Sequence, residues 1–222
     1  MHTPIHCVLL LLAILALLSC TTAAPTSDET PRDVGDCNDF TDTIDEAAFV
    51  LAPQTSSVGM YNGVTYAGFG MSSKSVVTGT AGGVYPQSGS NVASATIVTD
   101  AIQIGQATLQ PFGTIVASPS QSFDLEEAWF ACVLLQGSPQ VASVPVGCTI
   151  SVAGFGKDNM PVPAVSFSFS PPNPLGSSMT YFQLPYTFRY LKNATFGIAT
   201  TSFIPPPNTV LYLDSVKHCN YN

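Results

Sequence analysis

Residues 122–155, SFDLEEAWFACVLLQGSPQVASVPVGCTISVAGF, decide the fold class. Val146, Cys148, Ile150 and Val152 alternate with Gly147, Thr149 and Ser151, the two-residue period of a strand with one buried face. The run 128–135 is apolar at almost every position, as expected of a strand packed on both faces. A polar, proline-containing loop joins the two runs, and together they predict a central hairpin. Cys132 and Cys148 sit in the two runs, where they could bridge.

Working outward, residues 40–46 read as a short edge strand and 47–59 as a loop. Residues 61–71 combine an Asn62-Gly63 turn with a strand of alternating bulk. A long Gly/Ser/Thr loop over 72–90 carries Tyr85, and weaker strands are expected over 91–98 and 101–109. Val165, Phe167 and Phe169 alternate with serines over 161–170, a half-buried strand broken by Pro171. Residues 178–184, 194–200 and 209–216 supply three more. No stretch keeps a helical period, and 18 Pro and 17 Gly punctuate the chain. The class this implies is all-β, a sandwich of two antiparallel sheets.

The N-terminus reads as a secretory signal peptide, residues 1–23. An apolar core ends in small residues, with Thr21 and Ala23 at the positions before cleavage. An alternative reading makes Leu17-Leu-Ser-Cys20 a bacterial lipobox with a lipid on Cys20. Residues 24–39 form an acidic, flexible leader, and 40–222 a single domain. The chain has 6 basic and 14 acidic residues, a formal charge of −8. Eight of the acids lie between Asp28 and Glu46, so the remainder is close to neutral. Without a basic patch, nucleic acid and anionic membrane surfaces are not expected partners. No second apolar run of spanning length follows. The expected product is a secreted, extracellular monomer without a membrane anchor.

Cys7 and Cys20 fall in the signal, leaving Cys37, Cys132, Cys148 and Cys219, an even number suited to an oxidising compartment. Four cysteines permit three pairings. Cys132–Cys148 would staple the central hairpin, and Cys37–Cys219 would tie the first ordered residues to the last strand. The mature chain keeps one histidine, His218, read as an exposed terminal residue. Zinc binding, a Cys/His nucleophile and a Ser-His-Asp triad therefore lack support.

Ile44-Asp45-Glu46, residues 61–69, residues 122–125, Val152-Ala-Gly-Phe155 and Leu211-Tyr-Leu-Asp-Ser-Val216 occur in an order that resembles a group of fungal secreted jelly-roll proteins. These are similar to the galactose-binding-like sandwiches to which many carbohydrate-binding modules belong. The resemblance spans about residues 40–216 and implies a jelly roll. Two departures stand out. Tyr66 occupies a position where tryptophan is common, and Asp45-Glu46 stands where two aspartates are usual. The resemblance also implies a structural calcium ion, with Asp214 ligating alongside Asp45 or Glu46. The plainer reading has Asp214 capping loop amides.

Other candidate residues follow from chemistry. Asp124, Glu126 and Glu127 form the densest acidic cluster of the body, and Asp124 with Glu126 or Glu127 is a candidate glycosidase pair; a solvated turn is the plainer reading. Trp129 reads as core. Tyr181, Tyr186 and Tyr190, with Arg189 and Lys192 nearby, are the candidate residues for stacking against a hydroxyl-rich ligand, with Tyr85 as a further aromatic. Asn193-Ala194-Thr195 fits the N-glycosylation pattern. The leading function class is a non-catalytic module contacting polysaccharide or glycan. The alternative is a structural or host-interaction protein without sugar specificity, and a glycan-active enzyme comes third.

Overall fold

The computed structural model describes residues 37–44, 57–73, 83–96, 112–118, 121–134, 144–201 and 208–221. They form thirteen strands and no α-helix, so the all-β class holds. In order these are β1 (Asn38–Asp42), β2 (Ser57–Tyr61), β3 (Val64–Ser73), β4 (Val84–Tyr85), β5 (Asn91–Ala95), β6 (Phe112–Ala117) and β7 (Ser122–Leu134). There follow β8 (Cys148–Gly156), β9 (Pro161–Phe169), β10 (Ser177–Ser178), β11 (Thr180–Gln183), β12 (Leu191–Thr201) and β13 (Thr209–Tyr221). β1 begins at Asn38, so the first strand takes in the last two residues of the acidic leader. The expected strand at 101–109, and the Asp45 and Glu46 end of the first strand, lie outside the described residues.

Eleven strands form one sheet in the order β11-β7-β13-β5-β3-β6-β12-β8-β9, with β1 on β13 and β2 on β3. β12 also meets β7 at Leu191–Phe123, closing β7-β13-β5-β3-β6-β12 into a six-strand barrel. In place of two separate sheets there is thus a closed barrel with added strands. β3 makes the corner: Val64 to Ala67 pairs with β6, Gly70 to Ser73 pairs with β5, and Gly68, at φ +77°, lies between. A strand that changes partners at a bend is the usual way to turn such a corner.

The central hairpin is not formed. β7 lies between β13 and β11, whereas β8 lies between β12 and β9. The two touch only where β7 ends, through a Val133–Pro145 bridge and two backbone hydrogen bonds, one from Leu134 N to Val144 O and one from Val146 N to Cys132 O. A long intervening loop imposes no register, and the thirteen-residue β13 offers β7 a longer apolar partner. The Cys132–Cys148 disulfide staples this meeting point, while Cys37–Cys219 ties β1 to β13. The predicted Asn62-Gly63 turn does form. Both residues have positive φ (44° and 83°), as a two-residue hairpin turn requires.

The core is aromatic. Phe130 meets Phe169 and Phe182 edge-on at 6.2 and 5.5 Å, and Phe182 continues to Phe196 and Phe196 to Phe69. Burying each such ring contributes about 1.5–3 kcal/mol. Gly113 makes room for Phe69, because a Cβ there would fall 2.5 Å from its ring.

Candidate functional site

Trp129 and Tyr181 face each other across the β7–β11 pair. Trp129 is half-buried and packs against the core, and its ring stands 5.5 Å from that of Tyr181 at 60°. The Tyr181 hydroxyl donates to Glu127 Oε2 at 2.6 Å, and that hydrogen bond is the main cause of its raised pKa. Tyr181 is nevertheless 44% exposed. The result is an outward aromatic side chain held in one orientation by a cross-strand ring and a carboxylate.

The turn after β11 presents two more tyrosines. Tyr186 is exposed, with the Arg189 guanidinium stacked 3.6 Å from its ring centre. Tyr190, also exposed, packs on Tyr221 with ring centres 4.6 Å apart, and Lys157 Nζ lies 4.7 Å from its ring. Its backbone is left-handed (φ 52°) and its N–H donates to Asp124 Oδ1 at 2.9 Å. Neighbours engage all three rings: Trp129 at Tyr181, Arg189 at Tyr186, and Tyr221 with Lys157 at Tyr190. Lys192 is half-buried beside them, and Tyr85, 49% exposed, lies over Gly176.

The three carboxylates of the acidic cluster are each engaged by a different neighbour. Asp124 is buried and accepts from Tyr190 N–H and from Tyr221 OH at 2.9 Å, with Arg189 Nε at 3.5 Å. Burial and the Asp124 charge hold the Tyr221 hydroxyl protonated well above its usual range. Glu126 is paired instead with Lys217 Nζ at 3.0 Å, and Glu127 with Tyr181. Each acid supports a different neighbour.

A second polar cluster centres on three buried side chains, Asp42, Tyr66 and His218. Asp42 accepts from Tyr66 OH (2.6 Å), Asn62 Nδ2 (2.7 Å) and His218 Nε2 (3.0 Å). His218 Nδ1 lies 2.8 Å from Asn220 Oδ1, and Asn220 Nδ2 donates to the Asn62 carbonyl. His218 is thus bound on both ring nitrogens, to Asp42 and to Asn220, inside the fold. The expectation of an exposed terminal histidine is wrong, because β13 runs on to Tyr221 and pairs with β1 over that length. Asp42, Tyr66 and His218 have no exposed surface, so no substrate reaches them.

Asp214 is buried where β13 changes neighbours. Its carboxylate accepts from Ser88 N–H (2.8 Å), Ser88 Oγ (2.7 Å) and Ser215 N–H (2.6 Å). Burial raises its pKa, while the Ser88, Ser215 and Gln87 donors pull it down. This is amide capping. Asp45 and Glu46, the other ligands of the expected calcium site, lie outside the described residues. Among the described residues one cluster holds three possible metal donors, Cys37, Asp39 and Cys219, but its two sulfurs are bonded to each other. A shallow hollow of about 180 Å³ is lined by Phe112, Ser151, Gly197, Ile198 and Ala199. It is below the usual small-molecule range of about 300–1,000 Å³.

No protein-family model and no curated protein matches the chain. Solved structures do. A DUF4465 family protein from Bacteroides caccae aligns over 70% of this chain and 78% of its own, at 12% identity and a TM-score of 0.43. A cyclase from Fischerella sp. TAU covers 82% and 98%, at 9% identity and a TM-score of 0.42. The carbohydrate-binding module TmCBM61, in complex with beta-1,4-galactotriose, covers 74% and 91%, at 5% identity and a TM-score of 0.34. None reaches a TM-score of 0.5, and the reading of the site rests on its own side chains.

Proposed function

We propose that the protein is a secreted, non-catalytic β module that contacts extracellular carbohydrate through Tyr181, Trp129 and Tyr186. One observation carries this reading: Tyr181 is half-exposed yet held by Glu127 and Trp129. A ring fixed before binding loses little conformational freedom when a sugar face packs on it. Two disulfides fit an oxidising, extracellular compartment. An open aromatic surface suits a polymer better than a small molecule.

The test is a glycan array probed with the folded protein, with calcium and with chelator. Binding to a defined set of glycans is expected, weakened at least about tenfold by Tyr181→Ala, the equivalent of ~1.4 kcal/mol. If the array stays blank for folded protein, the module reading fails and a structural or host-interaction role without sugar specificity replaces it.

A further inference from the structure

The outer face of the sheet carries a row of side chains that crosses six strands. Register places Met60 beside Thr65, Thr65 beside Val116, Val116 beside Asn193, Asn193 beside Phe155, and Phe155 beside Pro161. Met60 is 72% exposed and Phe155 48%. No member of the row carries a charge. Directly paired side chains on one face stand about 4.5–5.5 Å apart at Cβ, so Asn193 has Val116 on one side and Phe155 on the other. The adjacent row is Ala67, Thr114, Thr195 and Ala153, all small, leaving space above it.

Asn193 is also the asparagine of the only Asn-x-Ser/Thr sequence in the chain. It projects outward, since β12 buries Ala194, Phe196 and Ile198 and turns Asn193, Thr195 and Gly197 the other way. Its amide makes no hydrogen bond among the described residues. Thr195 Oγ1 is 2.9 Å from Thr114 Oγ1, a bond made after folding, when the acceptor sequence has already been used. We propose that Asn193 carries an N-linked glycan whose first sugar packs on Phe155, and that this glycan covers the apolar row on the outer face. An exposed apolar strip of this kind otherwise invites association. In the transfer, Asn193 Nδ2 bonds to the anomeric carbon of a lipid-diphosphate-linked oligosaccharide. The carbon–phosphate-oxygen bond breaks, the lipid diphosphate leaves, and the amide gives up one proton. The proposal does not depend on the Tyr181 surface, which lies on other strands.

The full chain is secreted from a eukaryotic host as wild type, Asn193→Gln, Thr195→Ser and Phe155→Ser. A glycan removable by peptide N-glycosidase is expected at Asn193 in the wild type and Thr195→Ser, and not in Asn193→Gln. Enzymatic removal from folded wild type should lower the thermal midpoint by about 2–4 °C and raise binding of an apolar-surface dye. In Phe155→Ser the same removal should leave the midpoint unchanged. Deglycosylating folded wild type makes the comparison even if Asn193→Gln fails to fold. Secreted wild type unmodified at Asn193 overturns the proposal, and so does a glycan whose removal changes neither midpoint nor dye binding.

Discussion

Asp42 takes three hydrogen bonds with no exposed surface of its own, and two of its donors, Tyr66 and His218, are equally enclosed. Leaving a buried carboxylate without one of its hydrogen-bond partners costs about 1–3 kcal/mol. His218→Ala should therefore lower the unfolding free energy by about that much in urea titration, with glycan binding unchanged in whatever protein remains folded. Tyr66 gives a pH prediction. Burial first, then the Asp42 charge, raises its pKa well above 10. Above pH 10 the unfolded chain loses this proton while the folded chain keeps it, so the unfolded state binds fewer protons and stability falls as pH rises. Below pH 10 both states hold the proton and the contribution is intact. Tyr66→Phe should flatten the decline above pH 10 without abolishing it, since Tyr181 and Tyr221 are shifted the same way. An unchanged alkaline slope in Tyr66→Phe would rule this out. None of the network is legible in residue types alone. Asp42 and His218 are 176 residues apart, and only the pairing of β1 with β13 brings them together. The tyrosines of 181–190 are legible as exposed aromatics, but the neighbours that engage their rings, Trp129, Arg189, Tyr221 and Lys157, are not.

β13 is the strand on which the first and last described strands meet. Its first half pairs with β5 at Leu211 to Leu213 and its second half with β1 at Val216 to Asn220. Ser215, at φ 50°, forms a bulge where the partner changes, and Asp214 beside it caps the Ser88 loop. β1 is only five residues long and is secured by that pairing and by Cys37–Cys219. Deleting this disulfide frees a closure of 182 residues in the unfolded chain, and losses of about 2–5 kcal/mol are usual for a native bridge. Cys37→Ser with Cys219→Ser should show such a loss, and amide exchange should rise first across β1. Unchanged protection of β1 would mean that its hydrogen bonds suffice. Strands with a two-residue period, β8 and β9, are legible from sequence. β6 is not, because Phe112 to Ala117 is short and mixed in polarity. The β7–β8 hairpin misleads for a different reason. Two apolar strands in succession predict their own existence, but not that each prefers a partner distant in sequence.

At the scale of the molecule, closure of the barrel depends on a narrow seam. β12 meets β7 through the single pair Leu191–Phe123, supported by a backbone hydrogen bond from Leu125 N to Phe188 O. Asp124 spans this seam. From β7 it holds the Tyr190 N–H just ahead of β12, the Arg189 guanidinium, and the Tyr221 hydroxyl at the end of β13. One buried carboxylate therefore joins three segments that alternation of apolar residues does not relate. The same acid looks, from sequence, like half of a glycosidase pair. Asp124→Ala would leave the Tyr190 N–H and Tyr221 hydroxyl without their acceptor and Arg189 without its counter-charge. Each buried group so stranded costs about 1–3 kcal/mol. Exchange should accelerate at Leu125 and Tyr190, at the seam, while the β8–β9 pairs far from it stay protected. The arrangement of Tyr186 and Arg189 should loosen as well, weakening any glycan binding that uses Tyr186 more than binding at Tyr181. If exchange instead rises uniformly across all strands, Asp124 stabilises the whole molecule without acting as a local clasp. If it rises nowhere, the seam is held by Leu191 and Phe123 packing alone.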